Sequence, residues 1–200
     1  MIVLALDTAL DGCAVALADG ETVRASIHEM MARGQAERLA PMVREAMAAA
    51  GASFSDIDRI AVTTGPGSFT GVRVGLSFAR ALALALDKPC LGVSTLEALA
   101  LGETERGLRA AVIETPGAAY AALYDDGVAV LGPRAIERGE HEILFIETAK
   151  GRGLAQVGPE RRPDVAALAV RAGRLDPALY APAPTYLRAA HVTLPGSVRA

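Results

Sequence analysis

The hydrophobic pattern of the first hundred residues falls into short pieces divided by strong turn signals. Ile2–Leu6 is a β-branched apolar run, and Asp11-Gly12 supplies a turn before Cys13–Ala18, which alternates as a strand does. Asp19-Gly20 is a hairpin signal, and Thr22–Ile27 follows as a third strand. The period then changes. Leu39, Val43, Ala46, Met47 and Ala50 recur at helical spacing, with Gly51 as the stop. Pro41 lies inside that pattern, and either opens a new first turn or kinks a longer helix beginning near Gln35. Asp58–Thr64 predicts a buried strand. Gly65-Pro66-Gly67 breaks the chain, and Ser68 is placed to cap a helix running to about Leu86, ended by Asp87-Lys88-Pro89. Cys90–Val93 predicts a short strand, and Ser94-Thr95-Leu96-Glu97 fits a capping box at the head of a third helix.

Three hairpin-linked strands followed by helix–strand units is the order of a ribonuclease-H-like domain, α/β in class. The second half carries a fainter version. Arg109–Glu114, Ala119–Tyr124 and Val128–Leu131 predict strands, with Asp125-Asp126-Gly127 as a turn. Ile143–Ile146 and Leu154–Val157 predict two more, and Asp164–Ala172 predicts an Ala-rich helix before a tail containing Pro177, Pro182 and Pro184. Two such lobes in tandem make the actin-like ATPase (ASKHA) architecture, here with the second lobe reduced, a step that rests on analogy of fold. The polar, Gly-flanked stretch Gly102–Gly107 divides an N-terminal lobe, 1–102, from a smaller C-terminal lobe, 108–200.

Composition sharpens this picture. The chain has 200 residues, 52% hydrophobic and 22% charged, enough to bury a core; with no Trp and 4% aromatics, that core must be aliphatic. A net charge of −3 without a basic face excludes a stand-alone RNA binder, so any service to RNA runs through a partner. Cys13 and Cys90 lack CxxC spacing and predict buried free thiols. Asp7 interrupts the first apolar run, which argues against a signal peptide. The longest clean apolar stretch, Ala79–Leu86, is short for a bilayer span and contains Arg80. The cytoplasm is the expected location.

The strongest local signal is the run GPGSFTGVRVG, Gly65–Gly75. A Gly-rich turn into a helix N-terminus can present N–H groups to an anion. It lacks the Gly-Lys-Ser/Thr of a Walker A motif, its glycines read GxGxxxG, and Ser68 is not flanked as in a nucleophile elbow. Gly71, Gly75 and Ala79 share one helical face, which either packs on the chain's own sheet or admits a helix of another subunit. Asp7 and Thr8 form a weak relic of a phosphate- and Mg²⁺-proximal site, or else brace the strand-to-loop edge. An actin-like kinase also needs a phosphate turn in its second lobe, and Val157-Gly158-Pro159 is poor material for one. His28-Glu29 and His141-Glu142 are followed by Ala32 and Phe145 where HExxH needs histidine, and His191 stands in the tail without a helical partner, so no metal is expected.

Asp7-Thr8-Ala9, Gly65–Gly75, Gly92-Val93-Ser94-Thr95-Leu96 and Tyr186-Leu187-Arg188 resemble, in order and in residue type, the sequence marks of the TsaB (YeaZ-like) family. The resemblance implies a two-lobed actin-like fold without a working active site. It implies pairing with the transferase subunit TsaD through helices of the N-terminal lobe, self-association through the same surface when alone, and a third subunit, the ATPase TsaE. Such complexes transfer threonylcarbamoyl, from an adenylate made by a separate synthase, to the adenosine following the anticodon in tRNAs that read codons beginning with A. The chain itself would be a non-catalytic subunit with no cofactor of its own, ATP and Mg²⁺ being used by the complex, tRNA being met only through it, and no membrane being involved. Carried over by segment, the interface helices are Gln35–Ala50 and Ser68–Leu86. The contact residues are Phe69, Gly71, Arg73, Gly75, Leu76, Ala79 and Arg80 on the second, with Val43 and Met47 on the first. The chain departs from the family pattern at Gln35, where many relatives have His, and at Glu114-Thr115-Pro116, where many have Asp-Ala-Arg. The alternative function is an actin-like small-molecule kinase or ATPase that binds ATP near Asp7.

Overall fold

In the computed structural model, residues 1–101, 107–115, 118–157 and 162–187 are described. The first sheet has the order β3-β2-β1-β4-β5, built from β1 (Ile2–Asp7), β2 (Gly12–Asp19), β3 (Thr22–Met30), β4 (Ile57–Thr63) and β5 (Cys90–Val93). β1, β2 and β3 form an antiparallel meander, while β4 lies parallel to β1 and β5 parallel to β4. The second sheet, β8-β7-β6-β9, uses β6 (Leu108–Thr115), β7 (Ala118–Asp125), β8 (Val128–Ile136) and β9 (Leu154–Val157). It repeats the first meander and its parallel neighbour, with no fifth strand among the described residues.

Alternation along the strands decides which helix covers which face. On β1 and β2, Leu4, Leu6, Cys13, Val15 and Leu17 point to one side, where α1 (Gln35–Ala49) and α2 (Phe69–Leu86) close a core with Leu39, Met42, Val72 and Leu76. The intervening Val3, Ala5, Ala14, Ala16 and Ala18 point to the other side. These small residues let α5 (Val165–Ala172) lie close to the sheet through Val165, Leu168, Ala169 and Ala172. Arg59 pins the far end of α5 by donating to the carbonyls of Ala172 and Leu175, at 2.5 and 2.8 Å. The strands of the first sheet end at Val93 and those of the second begin at Leu108; residues 102–106 of the expected boundary Gly102–Gly107 lie outside the described residues. A helix from the C-terminal part of the chain crosses back to complete the first sheet.

α3 (Thr95–Ala100) covers one face of the second sheet, where Leu96 and Leu99 meet Ala111, Ile113, Ala122 and Tyr124. α4 (His141–Ala149) covers the other face with Phe145 and Ala149. Ile143–Ile146 is thus helix rather than strand. Its four apolar residues carry no period of their own, and only the Phe145/Ala149 pair, four apart, seats on the sheet. α1 runs unbroken from Gln35 through Pro41, and Gly51 at φ 63° closes it. The expected capping box at α3 is half present. Ser94 Oγ accepts from Leu96 N–H at 3.3 Å, while the Glu97 carboxylate turns away to Arg171 at 3.0 Å.

Candidate functional site

β1 delivers Asp7, Thr8 and Ala9 to the head of α2, and the glycines in that helix and in the turn before it are shaped around them. A methyl group on Gly67 would stand 2.2 Å from the Ala9 carbonyl oxygen, and one on Gly71 would stand 2.0 Å from that of Thr8. One on Gly75 would stand 2.6 Å from Thr8 Oγ1. The close approach is used: Thr8 Oγ1 donates to the Gly71 carbonyl at 2.7 Å, and Ser68 N–H donates to the Ala9 carbonyl at 2.7 Å. Asp7 Oδ1 accepts from Thr63 Oγ1 at 2.5 Å and from Ala9 N–H at 3.1 Å. Asp7 is 4% exposed. Burial pushes its carboxyl above the ordinary range, and those two hydrogen bonds pull back only partly.

The small-residue face of α2 therefore receives a loop of its own lobe. This corrects the expectation that Gly71, Gly75 and Ala79 present a notch to a neighbouring helix: each is buried, the glycines against Thr8. Leu76, Val43 and Met47 are likewise core residues, sealed between α1, α2 and the sheet. Phe69, Arg73 and Arg80 are exposed. The Arg73 guanidinium carbon lies 3.7 Å from the Phe69 ring centroid, and Nε and Nη2 both donate to Tyr186 Oη at 3.3 Å. The Phe69 and Tyr186 rings are 6.2 Å apart.

Tyr186 reaches this place because the tail straps the edge of the first sheet. Gly92 N–H donates to the Tyr180 carbonyl at 2.9 Å, and Thr185 N–H donates to the Thr64 carbonyl at 2.8 Å. A side chain at residue 92 would collide with the Ala181 carbonyl, 2.5 Å away. Sequence reasoning placed Tyr186 only as a family mark. It also missed Leu84, 84% exposed, although the spacing 73, 77, 80, 84 puts it on the outward stripe of α2. α2 also overturns the expectation about membrane spans. Among the described residues it alone is long and apolar enough, by length and composition, to cross a bilayer, although a third of it is buried on the sheet.

A second polar cluster ties the lobes together. Arg171 of α5 bonds Glu97 of α3 and donates to the Gly127 carbonyl in the β7–β8 turn at 2.6 Å. Burial still holds the Glu97 carboxyl above its ordinary range, against the pull of Arg171. Cys13 and Cys90 are free thiols that burial pushes up to about 11. Among the described residues no group of three or more His, Cys, Asp and Glu is arranged to hold a metal. His191, Arg188 and Gly158-Pro159 lie outside the described residues.

A meander with parallel neighbours, partly repeated in a second sheet, and a β1 loop clasped by the head of α2, define a two-lobed α/β protein of actin-like (ASKHA) architecture. The family described as TsaD: tRNA N6-adenosine threonylcarbamoyltransferase matches residues 25–120. The chain is 45% identical over 102 residues to the tRNA threonylcarbamoyladenosine biosynthesis protein TsaB of Escherichia coli K12, covering 51% of this chain and 44% of that one. It is 48% identical over 75 residues to a tRNA N6-adenosine threonylcarbamoyltransferase of Erythrobacter litoralis, covering 38% and 22%. In these matches the chain spans less than half the length of the curated relatives. The solved structure of YeaZ from Pseudomonas aeruginosa superposes at a TM-score of 0.75 with 29% identity, over 93% of this chain and 99% of that one. The chain is similar to TsaB (YeaZ-like) proteins over about half of its sequence, and to YeaZ in fold over 93% of its length.

Proposed function

We propose that this chain is a non-catalytic scaffold and activating subunit of the tRNA threonylcarbamoyladenosine (t6A) modification complex. It pairs with a TsaD-like transferase subunit and is joined by a TsaE-like ATPase. ATP and Mg²⁺ serve the complex, tRNA is met through the complex, and the lone chain self-associates through its partner surface in the cytoplasm. The relatives' names support the pathway, one being called a t6A biosynthesis protein and another the transferase itself.

The observation that carries the non-catalytic role is the state of the β1 loop. In an actin-like kinase the carboxylate at that place must be ionised and open to metal and phosphate. Here Asp7 is 4% exposed, its carboxyl is pushed toward the neutral form, and its loop is clasped by Ser68 and Gly71 of α2. The opposite, outward side of the same helix leaves Phe69 59% exposed and Leu84 84% exposed, as a partner surface would be.

The test is reconstitution of the reaction from TsaD-like and TsaE-like subunits, ATP, Mg²⁺, threonylcarbamoyl-adenylate and tRNA, with and without this chain. Modified tRNA is expected to rise by at least tenfold when the chain is added, while the chain alone makes none. Equal product with and without it would refute the role.

A further inference from the structure

The second sheet is roofed less completely than the first. The face of the first sheet that carries Leu4 and Leu6 is closed by two helices, α1 of 15 residues and α2 of 18. In the second lobe the helix that follows the meander is α4, of 9 residues, and among the described residues it is alone on its face, seating Phe145 and Ala149 against β6 and β7. Between α4 and β8 this leaves a groove of about 570 Å³, lined by Arg134, Glu137, Glu140, Ile143, Leu144 and Glu147. Ile143 is 63% exposed, and Ile146 beside it 69%. Three acids against one base make the wall acidic, and among the described residues none of the three carboxylates is held in an ion pair. Arg138 does not neutralise Glu137, because its guanidinium donates to the Thr115 carbonyl.

We propose that this groove of the second lobe docks a basic amphipathic helix of a different protein, whose apolar stripe covers Ile143 and Leu144 and whose Lys or Arg side chains, two turns apart, meet Glu140 and Glu147. The spacing comes from α4 itself. Glu140, Ile143, Leu144 and Glu147 stand at i, i+3, i+4 and i+7, so the two carboxylates lie about 10 Å apart along one stripe with apolar groups between them. Chemistry selects the occupant. A strand is disfavoured, because the free edge strand β8 carries Pro133, which has no N–H, and its pairing with β7 twice shifts register. A nucleic acid is disfavoured, because its phosphates would meet the carboxylates. A second copy does not close on this face, since a twofold axis sets the glutamates of one copy against those of the other. Exposed ion pairs contribute little each, so the apolar stripe carries the affinity while the carboxylates choose the partner and orient it. The inference concerns the second lobe alone and does not depend on the function proposed above.

The probe is a synthetic peptide of about five helical turns, with leucine along one face and lysines two turns apart beside it. Its control is a peptide of the same composition in scrambled order, which keeps the charge and loses the stripe. Both are titrated into the full chain by calorimetry and followed by amide NMR. The variants are Glu140→Lys, Glu147→Lys, Ile143→Ser and, on α1 of the first lobe, Glu37→Lys, each first shown to melt cooperatively. The ordered peptide is expected to bind at least tenfold more tightly than the scrambled one, with shifts concentrated in residues 134–147. Glu140→Lys and Glu147→Lys should each raise its Kd at least tenfold, and Ile143→Ser severalfold. Glu37→Lys makes the same change of charge and should leave it within twofold. Equal binding of the two peptides overturns the proposal, because charge alone would then explain it. So does binding untouched by the three groove variants, or no saturable binding of the ordered peptide. Self-association of the lone chain that Glu140→Lys abolishes, or an oligouridylate that shifts the same amides, overturns the choice of occupant.

Discussion

Replacing Gly71 by Ala separates the two roles a small-residue helix face can play. If the face served only a neighbouring chain, the lone protein would gain about 1 kcal/mol from the better helix former. The structure requires the opposite sign. The new methyl would stand 2.0 Å from the Thr8 carbonyl oxygen and 3.2 Å from its carbon, both backbone atoms that no rotamer change can move. Either α2 or the β1 loop must shift, at about 1–3 kcal/mol for overpacking. The shift also stretches the 2.7 Å bond from Thr8 Oγ1 to the Gly71 carbonyl, worth about 1 kcal/mol. The net loss is about 2 kcal/mol, or roughly 4–8 °C in Tm for a chain of this size. Gly75→Ala is the internal control. Its methyl meets the rotatable Thr8 hydroxyl at 2.6 Å, so lost hydrogen bonding and gained helix propensity nearly cancel, at about 0 kcal/mol. Urea and thermal denaturation of the purified chain measure both. A Gly71→Ala protein as stable as wild type, or more so, would show that the helix does not hold the loop.

Two further outcomes follow from the same geometry. Gly92→Ala places a methyl 2.5 Å from both the Ala181 carbonyl oxygen and Thr64 Cγ2, so the tail should detach at a cost of about 1 kcal/mol. Limited proteolysis should then cut between residues 180 and 187 faster than in wild type, and unchanged cutting would contradict the strap. Asp7 has a folded pKa above its ordinary 3.8, so the native state keeps a proton that the unfolded chain has lost. Stability therefore falls as pH rises through the window from 3.8 up to the raised value. Asp7→Asn can still accept from Thr63 and Ala9 without that penalty, and its stability relative to wild type should grow between pH 4 and pH 8. A gap that stays constant across that range would refute the burial argument.

Much of the first lobe was legible because its signals are local. Cys13–Ala18 alternates large and small residues, and that pattern sorts Val15 and Leu17 toward α1 and α2 and Ala14 and Ala16 toward α5. Ser68 is the cap of α2 as its position suggested, accepting from Gly71 N–H at 3.3 Å. What failed depends on distant partners. The glycine spacing of α2 told that something approaches closely but not that it is Thr8 and Ala9, some sixty residues earlier. Glu97 had the spacing of a capping residue, yet Arg171 of α5 took its carboxylate. Ile143–Ile146 was ambiguous in isolation, and only the face offered by the second sheet made it helical. The link from Tyr186 to Arg73 spans 113 positions, a separation at which no pattern in the chain signals contact.

The return of α5 to the first sheet bears on how the chain is made. Val3, Ala5, Ala14, Ala16 and Ala18 are translated well before the helix that covers them, which ends at Ala172, 71 residues after Leu101. At about 5–20 residues per second, the ribosome leaves that alanine-lined surface bare for roughly 4–14 s after the rest of the lobe has emerged. During that interval the nascent protein displays a sticky flank beside a finished one. Chaperone capture, or premature assembly with whatever docks on α2, would act on a half-clad lobe, so the order of synthesis makes the second half of the gene a condition for the first half to settle.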